Sequence, residues 1–220
     1  MWSLPVLAIA FAVLESVGLW KNWRVLSYFA KPAVIICLFI WLYLVTGFHG
    51  ATFWFGTGLF FSLIGDVLLL WRDRFFAFGL AAFFLVHLSY LTGFNTPLQP
   101  FSLWSLALAV IVGLGAVRVL RQLLAGLHRK RETRWRVPVI AYGLVLTLML
   151  LSALLTLSNI NWNAFASMSV SLGAFLFFLS DVILGWNKFV TPISNGRLLN
   201  IALYHVGQIL LIAGVVMQFS

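Results

Sequence analysis

Two carboxylates sit inside apolar runs of this sequence, in matching frames. FSLIGDVLLLWRDRF (residues 61–75) carries Asp66 and LFFLSDVILGWNKF (residues 176–189) carries Asp181, so Asp181, Val182 and Trp186 repeat the placing of Asp66, Val67 and Trp71. Asp66 precedes Arg72 by six residues, which on a helix sets it about 9 Å inside the charged edge. A carboxylate at such depth is costly and faces a bundle interior or a water-filled cavity. Two acids held close together away from bulk water share a proton, one neutral and one ionised. That offers a general acid and a general base across one site, as paired carboxylates do around glycosidic bonds. Asp66 and Asp181 are therefore the candidate catalytic pair.

Counting inward from the same charged edge finds further polar groups at that level. Glu15 precedes Lys21 by six residues, Asp181 precedes Lys188 by seven, and Tyr204 and His205 follow Arg197 by seven and eight. At the rise of an α-helix these groups share a layer about 9–12 Å deep. Lys31 opens its apolar run at the edge itself, His87 and Tyr90 lie deeper, and Gln208 falls one turn past Tyr204 on the same helix face. Plainer readings exist for each. Lys31 at a boundary would snorkel toward water. Glu15 could pair with Lys21 or Lys31 simply to hold its helix, and His87 and His205 could be hydrogen-bonded core residues. Gly58, Ser62 and Gly65 form a small-residue stripe beside Asp66, suited to admitting a neighbouring helix.

The elements that must position these groups are membrane spans. The chain has 220 residues, 63% of them hydrophobic and 9% charged, with mean hydropathy +1.05. A soluble domain could not bury that much apolar surface, whereas a bilayer would dissolve it. Apolar runs at 3–20, 32–47, 51–71, 75–94, 101–124, 137–157, 163–186 and 198–218 predict eight transmembrane helices in one domain, residues 1–220. The first, with no basic segment before it, reads as a retained span and not a removable signal. All fourteen Lys and Arg fall in or beside alternate connections, and Arg118 to Arg136 (118–136) make the most basic of these. The positive-inside rule sets those connections in the cytoplasm and both termini outside. Trp20, Trp23, Trp71, Trp135 and Trp186 then mark the inner boundary, and Trp2, Trp54, Trp104 and Trp162 the outer one. The matched Asp frames, with Lys31-Pro32 and Arg136-Val137-Pro138 as helix openings, predict two parallel four-helix repeats, roughly 1–100 and 101–220. Net charge +9 reflects topology and contact with anionic lipid, and nucleic-acid binding is not expected. With Cys37 the lone cysteine there is no intrachain disulfide. No nucleotide loop, nucleophile elbow or haem motif is present.

Lys31-Pro32, GDVLLL at 65–70, FFLVHLSYL at 83–91, LSDVILG at 179–185 and Tyr204 with Gln208 together resemble the YhhN-like lysoplasmalogenase family over nearly the whole chain. His205 departs from the pattern, which suggests an aromatic residue beside Tyr204. The resemblance implies hydrolysis of the vinyl ether bond of a lysophospholipid, releasing a fatty aldehyde and a glycerophospho-ethanolamine or -choline, without a cofactor or metal. It implies that Asp66 and Asp181 are catalytic, the substrate reaching them from the surrounding membrane lipid. Vinyl ethers hydrolyse by protonation on carbon, so one Asp would give the proton and the other would stabilise the cation and activate water. Lys31 and Arg197 would contact the phosphate; Glu15, His87, Tyr90, Tyr204 and Gln208 would line the substrate site. A multi-pass protein of a bacterial inner membrane is the expectation. Two rival readings compete: a metal-dependent lipid hydrolase with His87, His205, Asp66 and Asp181 as ligands, and a transporter of small amphiphiles or lipids. The sequence assigns no oligomeric state.

Overall fold

A computed structural model describes residues 3–99 and 103–220, without the side chains of Arg24, Arg72 and Asp73. Trp2 and the first two residues of the fifth apolar run lie outside the described residues. Eight helices run in order: α1 (Ser3–Trp20), α2 (Arg24–Thr46), α3 (Ala51–Leu70), α4 (Arg72–Phe94), α5 (Leu103–Arg129), α6 (Arg136–Leu155), α7 (Ala164–Phe189) and α8 (Gly196–Phe219). All eight are long and apolar enough to cross a membrane. The protein is an all-α, multi-pass membrane protein.

Backbone satisfaction explains why helices alone suffice. In hydrocarbon every N–H and C=O needs a partner within the protein, and a helix supplies one for nearly all of them. Large apolar side chains such as Val6, Phe29, Ile111, Leu114 and Phe165 stand exposed on the outside, where lipid would cover them. Glu15, Lys31, Asp66, His87, His205 and Gln208 are buried inside. This inverts the arrangement of a soluble domain.

Several helix limits differ from the sequence reading. The second span begins at Arg24 rather than 32, which leaves Pro32 inside α2. Proline costs one backbone bond there, a loss that neighbouring helices tolerate in membrane proteins. Lys31 is consequently two turns inside the helix and not at its mouth. At the same basic end, α5 and α7 run on to Arg129 and Phe189, past the expected 124 and 186, because helical hydrogen bonding does not stop where the apolar run does.

Side-chain bonds identify the two ends of the bundle. Lys130 Nζ donates to Lys188 O at 2.9 Å, joining two basic connections. At the opposite end Asn159 Nδ2 donates to Gln99 Oε1 (2.7 Å) and Asn163 N to Gln218 Oε1 (2.8 Å). Helix α1 packs on α2 and α8, α3 on α2 and α4, α4 on α6, and α6 on α7, while α5 lies outside against α6 and α7. Helices α7 and α8 approach each other backbone to backbone. A methyl built on Gly173 would fall 2.5 Å from Leu211 N and 2.7 Å from Gly207 O, so hydrogen is the only substituent that fits. The α3 stripe behaves as expected: Gly58 takes the ring of Tyr90 and Gly65 the ring of Phe83, both from α4.

Candidate active site

The polar side chains inside the bundle form two networks on either side of an aromatic partition. In the first, Lys31 Nζ of α2 lies 3.0 Å from Asp66 Oδ1 of α3. Tyr204 of α8 donates its hydroxyl to Asp66 Oδ2 at 2.9 Å. One turn deeper, Gln208 Nε2 donates to Ser62 Oγ (2.9 Å) and Gln208 Oε1 accepts from Tyr90 OH (2.8 Å). Beside these, Glu15 Oε2 of α1 stands 3.3 Å from His205 Nε2, both side chains buried.

The second network belongs to α4, α6 and α7. Tyr142 donates its hydroxyl to Asp181 Oδ2 at 2.5 Å, and His87 Nε2 lies 2.8 Å from the same oxygen and 3.1 Å from the Tyr142 hydroxyl. Asp181 Oδ1 has no hydrogen-bond partner among the described residues. Asp181 and Tyr142 also line a cavity of about 290 Å³ between α4, α5, α6 and α7. Its wall is otherwise almost wholly apolar, including Leu80, Leu120, Leu146 and Phe178. Val117, Ile140 and Leu144 on its rim are exposed, so it opens sideways toward lipid.

Phe177 stands between the networks, its ring centroid 4.8 Å from that of His87 and 5.3 Å from that of Tyr204. Phe83 completes the partition, 6.1 Å from Phe177 and 5.6 Å from Tyr204. The two aspartates thus share no partner, and among the described residues no hydrogen bond joins them. The matched frames predict a carboxyl–carboxyl pair sharing one proton; among the described residues Asp66 is bonded to Lys31 and Tyr204, and Asp181 to Tyr142 and His87. Both acids lie at similar depth, but α3 and α7 present them to different neighbours.

Other expected site residues are distributed accordingly. Glu15, Lys31, Asp66, Tyr90, Tyr204, His205 and Gln208 gather on one side of the partition; His87 and Asp181 gather on the other. Lys31 is no snorkelling anchor: its side chain is 8% exposed and faces Asp66. Arg197 is exposed at the basic end, where it lines a separate polar cavity with Arg74 and Lys188. Tyr142 was missed, although it follows Arg136 by six residues and so belongs to the depth layer that identified the others. Ser62, counted only as a packing residue, is also a hydrogen-bond acceptor. Among the described residues no three His, Cys, Asp or Glu side chains converge as metal ligands: His87 meets Asp181 and His205 meets Glu15, each without a third donor.

Eight spans enclosing buried acid–tyrosine networks, one beside a lipid-facing cavity, define a polytopic membrane protein. The sequence profile of the YhhN family matches residues 26–215, and the chain belongs to that family. It is 36% identical over 183 residues to lysoplasmalogenase TMEM86B of Mus musculus, covering 83% of this chain and 72% of that protein. The Homo sapiens TMEM86B lysoplasmalogenase is 32% identical, with 88% of this chain and 78% of the relative covered. The Homo sapiens lysoplasmalogenase TMEM86A is 30% identical, with 82% and 74% covered. No solved structure matches the chain.

Proposed function

We propose that this protein hydrolyses the vinyl ether bond of lysoplasmalogens within the membrane, and that Asp181 is the proton donor. One observation carries the assignment: Asp181 is the carboxyl that lines the lipid-facing cavity, with Oδ2 fixed by Tyr142 and His87 and Oδ1 left for substrate. The names of the relatives support the substrate class.

The chemistry follows the electrons of an enol ether. Asp181 gives its proton to the vinyl carbon nearer the hydrocarbon chain, whose new C–H bond takes the π electrons. Positive charge appears on the ether carbon and is shared with its oxygen. The Asp181 carboxylate left behind faces that cation in an apolar cavity, where opposite charges attract more strongly than in water. Water adds to the cationic carbon and yields a proton to the Asp181–His87 pair, giving a hemiacetal. Collapse of the hemiacetal breaks the carbon–oxygen bond to glycerol, which takes up that proton, while the hemiacetal hydroxyl proton returns to Asp181 as the carbonyl forms. The products are a fatty aldehyde and the glycerophospho-headgroup, and one water is consumed.

Asp66 has a different part. It is fully buried and both its oxygens are engaged, by Lys31 and Tyr204. In this proposal it is a positioning residue, holding Tyr204 against the Phe83–Phe177 partition that backs the Asp181 site. Its place on α3, equivalent to that of Asp181 on α7, supports the reading of two parallel halves, 1–100 and 101–220. The basic connections face the cytoplasm and both termini the opposite side, a reading supported by the Lys130–Lys188 contact between two of those connections. In a bacterial cell this membrane is the inner one.

The deciding experiment incubates purified protein with lysoplasmalogen and follows free aldehyde by mass spectrometry. Wild-type protein is expected to release aldehyde and headgroup in equal amounts, while Asp181→Asn releases none above background. An Asp181→Asn protein that keeps most of the activity would remove Asp181 from the mechanism.

A further inference from the structure

At the basic end, a cavity of about 820 Å³ opens among the ends of α1, α2, α3, α4, α7 and α8. Arg74, Lys188 and Arg197 line it, and no carboxylate does among the described residues. Uncompensated positive charge around a concave space is an anion site in search of an occupant. A second, independent feature points the same way. Ser27, on the wall of this cavity, is 2% exposed, and its hydroxyl has no hydrogen-bond partner among the described residues. Buried hydroxyls are normally paired, so a ligand acceptor would satisfy it. Across the cavity Tyr28 and Trp71 stack with centroids 6.3 Å apart, and both are partly exposed. Aromatic faces of this kind attract ammonium groups.

The cavity also lies in register with the Asp181 site. The Lys188 ammonium, on its wall, sits 5.0 Å over the ring of Phe76, and Phe76 lines the lipid-facing cavity. The Lys188–Phe76 contact therefore joins the linings of the two spaces. Along α7, Lys188 follows Asp181 by seven residues, about 10 Å at helical rise. That is on the order of the reach between the phosphate and the ether carbon of a glycerophospholipid.

We infer that this basic cavity is the headgroup seat for a single-chain phospholipid. Arg74, Lys188 and Arg197 hold the phosphate, Ser27 donates to it, and Tyr28 and Trp71 face the ethanolamine or choline ammonium. The inference rests on the reaction proposed above for the identity of the lipid, but the binding it describes needs no turnover. Seating the phosphate here would bring the vinyl ether to Asp181 with the hydrocarbon chain in the apolar cavity.

The test measures equilibrium binding by the protein in uncharged detergent, using a saturated alkyl-ether lysophospholipid that cannot be hydrolysed and the corresponding alkylglycerol without phosphate. The triple variant Arg74→Gln/Lys188→Gln/Arg197→Gln is expected to lose at least about tenfold in affinity for the phospholipid and less than about twofold for the alkylglycerol, as removal of charge-assisted bonds predicts. Unchanged phospholipid affinity in the variant would overturn the assignment. Raising salt should weaken phospholipid binding by the wild-type protein and leave alkylglycerol binding unmoved, because screening acts only on the charged ligand. This arm stands alone if the variant does not fold, and salt-independent binding there would equally sink the idea. Inorganic phosphate should displace the phospholipid only at far higher concentration than glycerophosphoethanolamine does; equal potency would make this a free-anion site and overturn the headgroup role. Binding as described without any aldehyde release would leave the seat standing and remove the reaction, whereas release with unaltered binding in the variant would do the reverse.

Discussion

Lys31 Nζ and Asp66 Oδ1 meet at 3.0 Å inside the bundle, with their side chains 8% and 0% exposed. Pro32 follows Lys31 directly, within α2, so this pairing depends on a helix that starts two turns before the proline. A pair so placed has exchanged two hydration shells for each other and, on Asp66, the Tyr204 hydroxyl. Removing either partner alone leaves a lone polar head among apolar walls.

Lys31→Met and Asp66→Leu should therefore each destabilise the protein by about 3–5 kcal/mol, while the double variant recovers a large part of the loss. Thermal unfolding in detergent measures this. Equal, additive losses in the double variant would show that the two groups do not interact.

Asp181→Asn should lower aldehyde release by about 10²-fold or more, the contribution expected of a general acid. Tyr142→Phe removes one hydrogen bond to the same carboxyl, about 1.5–3 kcal/mol, and should lower kcat by roughly tenfold or more with KM little changed. Affinity for a non-hydrolysable alkyl-ether lipid distinguishes lost chemistry from lost folding, and should be retained in both.

Gly185 and Gly143 line the lipid-facing cavity and have room for a side chain: a methyl carbon added at each would find its nearest neighbour at 3.5 Å (Leu123 Cδ2) and 3.8 Å (Leu120 Cδ1). Gly185→Phe or Gly143→Phe should fold normally yet fill the cavity. Turnover is expected to fall steeply for long alkenyl chains and least for short ones, read from kcat/KM over a chain-length series. Loss independent of chain length would separate the cavity from the chain.

Gly173 and Gly207 set the spacing of α7 and α8, which carry Asp181 and Tyr204. Gly207→Leu should cost several times the ~1–3 kcal/mol of ordinary overpacking, because backbone and not a flexible side chain stands in the way: Gly173 O would lie 2.9 Å from the added carbon. A protein that unfolds at the wild-type temperature would contradict the close approach.

The sequence alone settled what depends on composition along the chain. The eight spans follow from runs of apolar residues matched to bilayer thickness, and the depth of Glu15, Asp66, Asp181 and Tyr204 follows from counting residues at a fixed helical rise. Depth is a one-dimensional quantity, so residue counting is enough to give it. Direction about the helix axis is not. Whether Asp66 faces Asp181 or Lys31 depends on which helices pack beside α3, and that is decided by contacts distant in sequence: Gly173 on Gly207, Tyr90 on Gly58, Phe177 against both Tyr204 and His87. Only the tertiary structure divided one layer of polar groups into two networks, brought Tyr142 to Asp181, and drew Lys31 inward from the boundary its neighbouring proline had suggested.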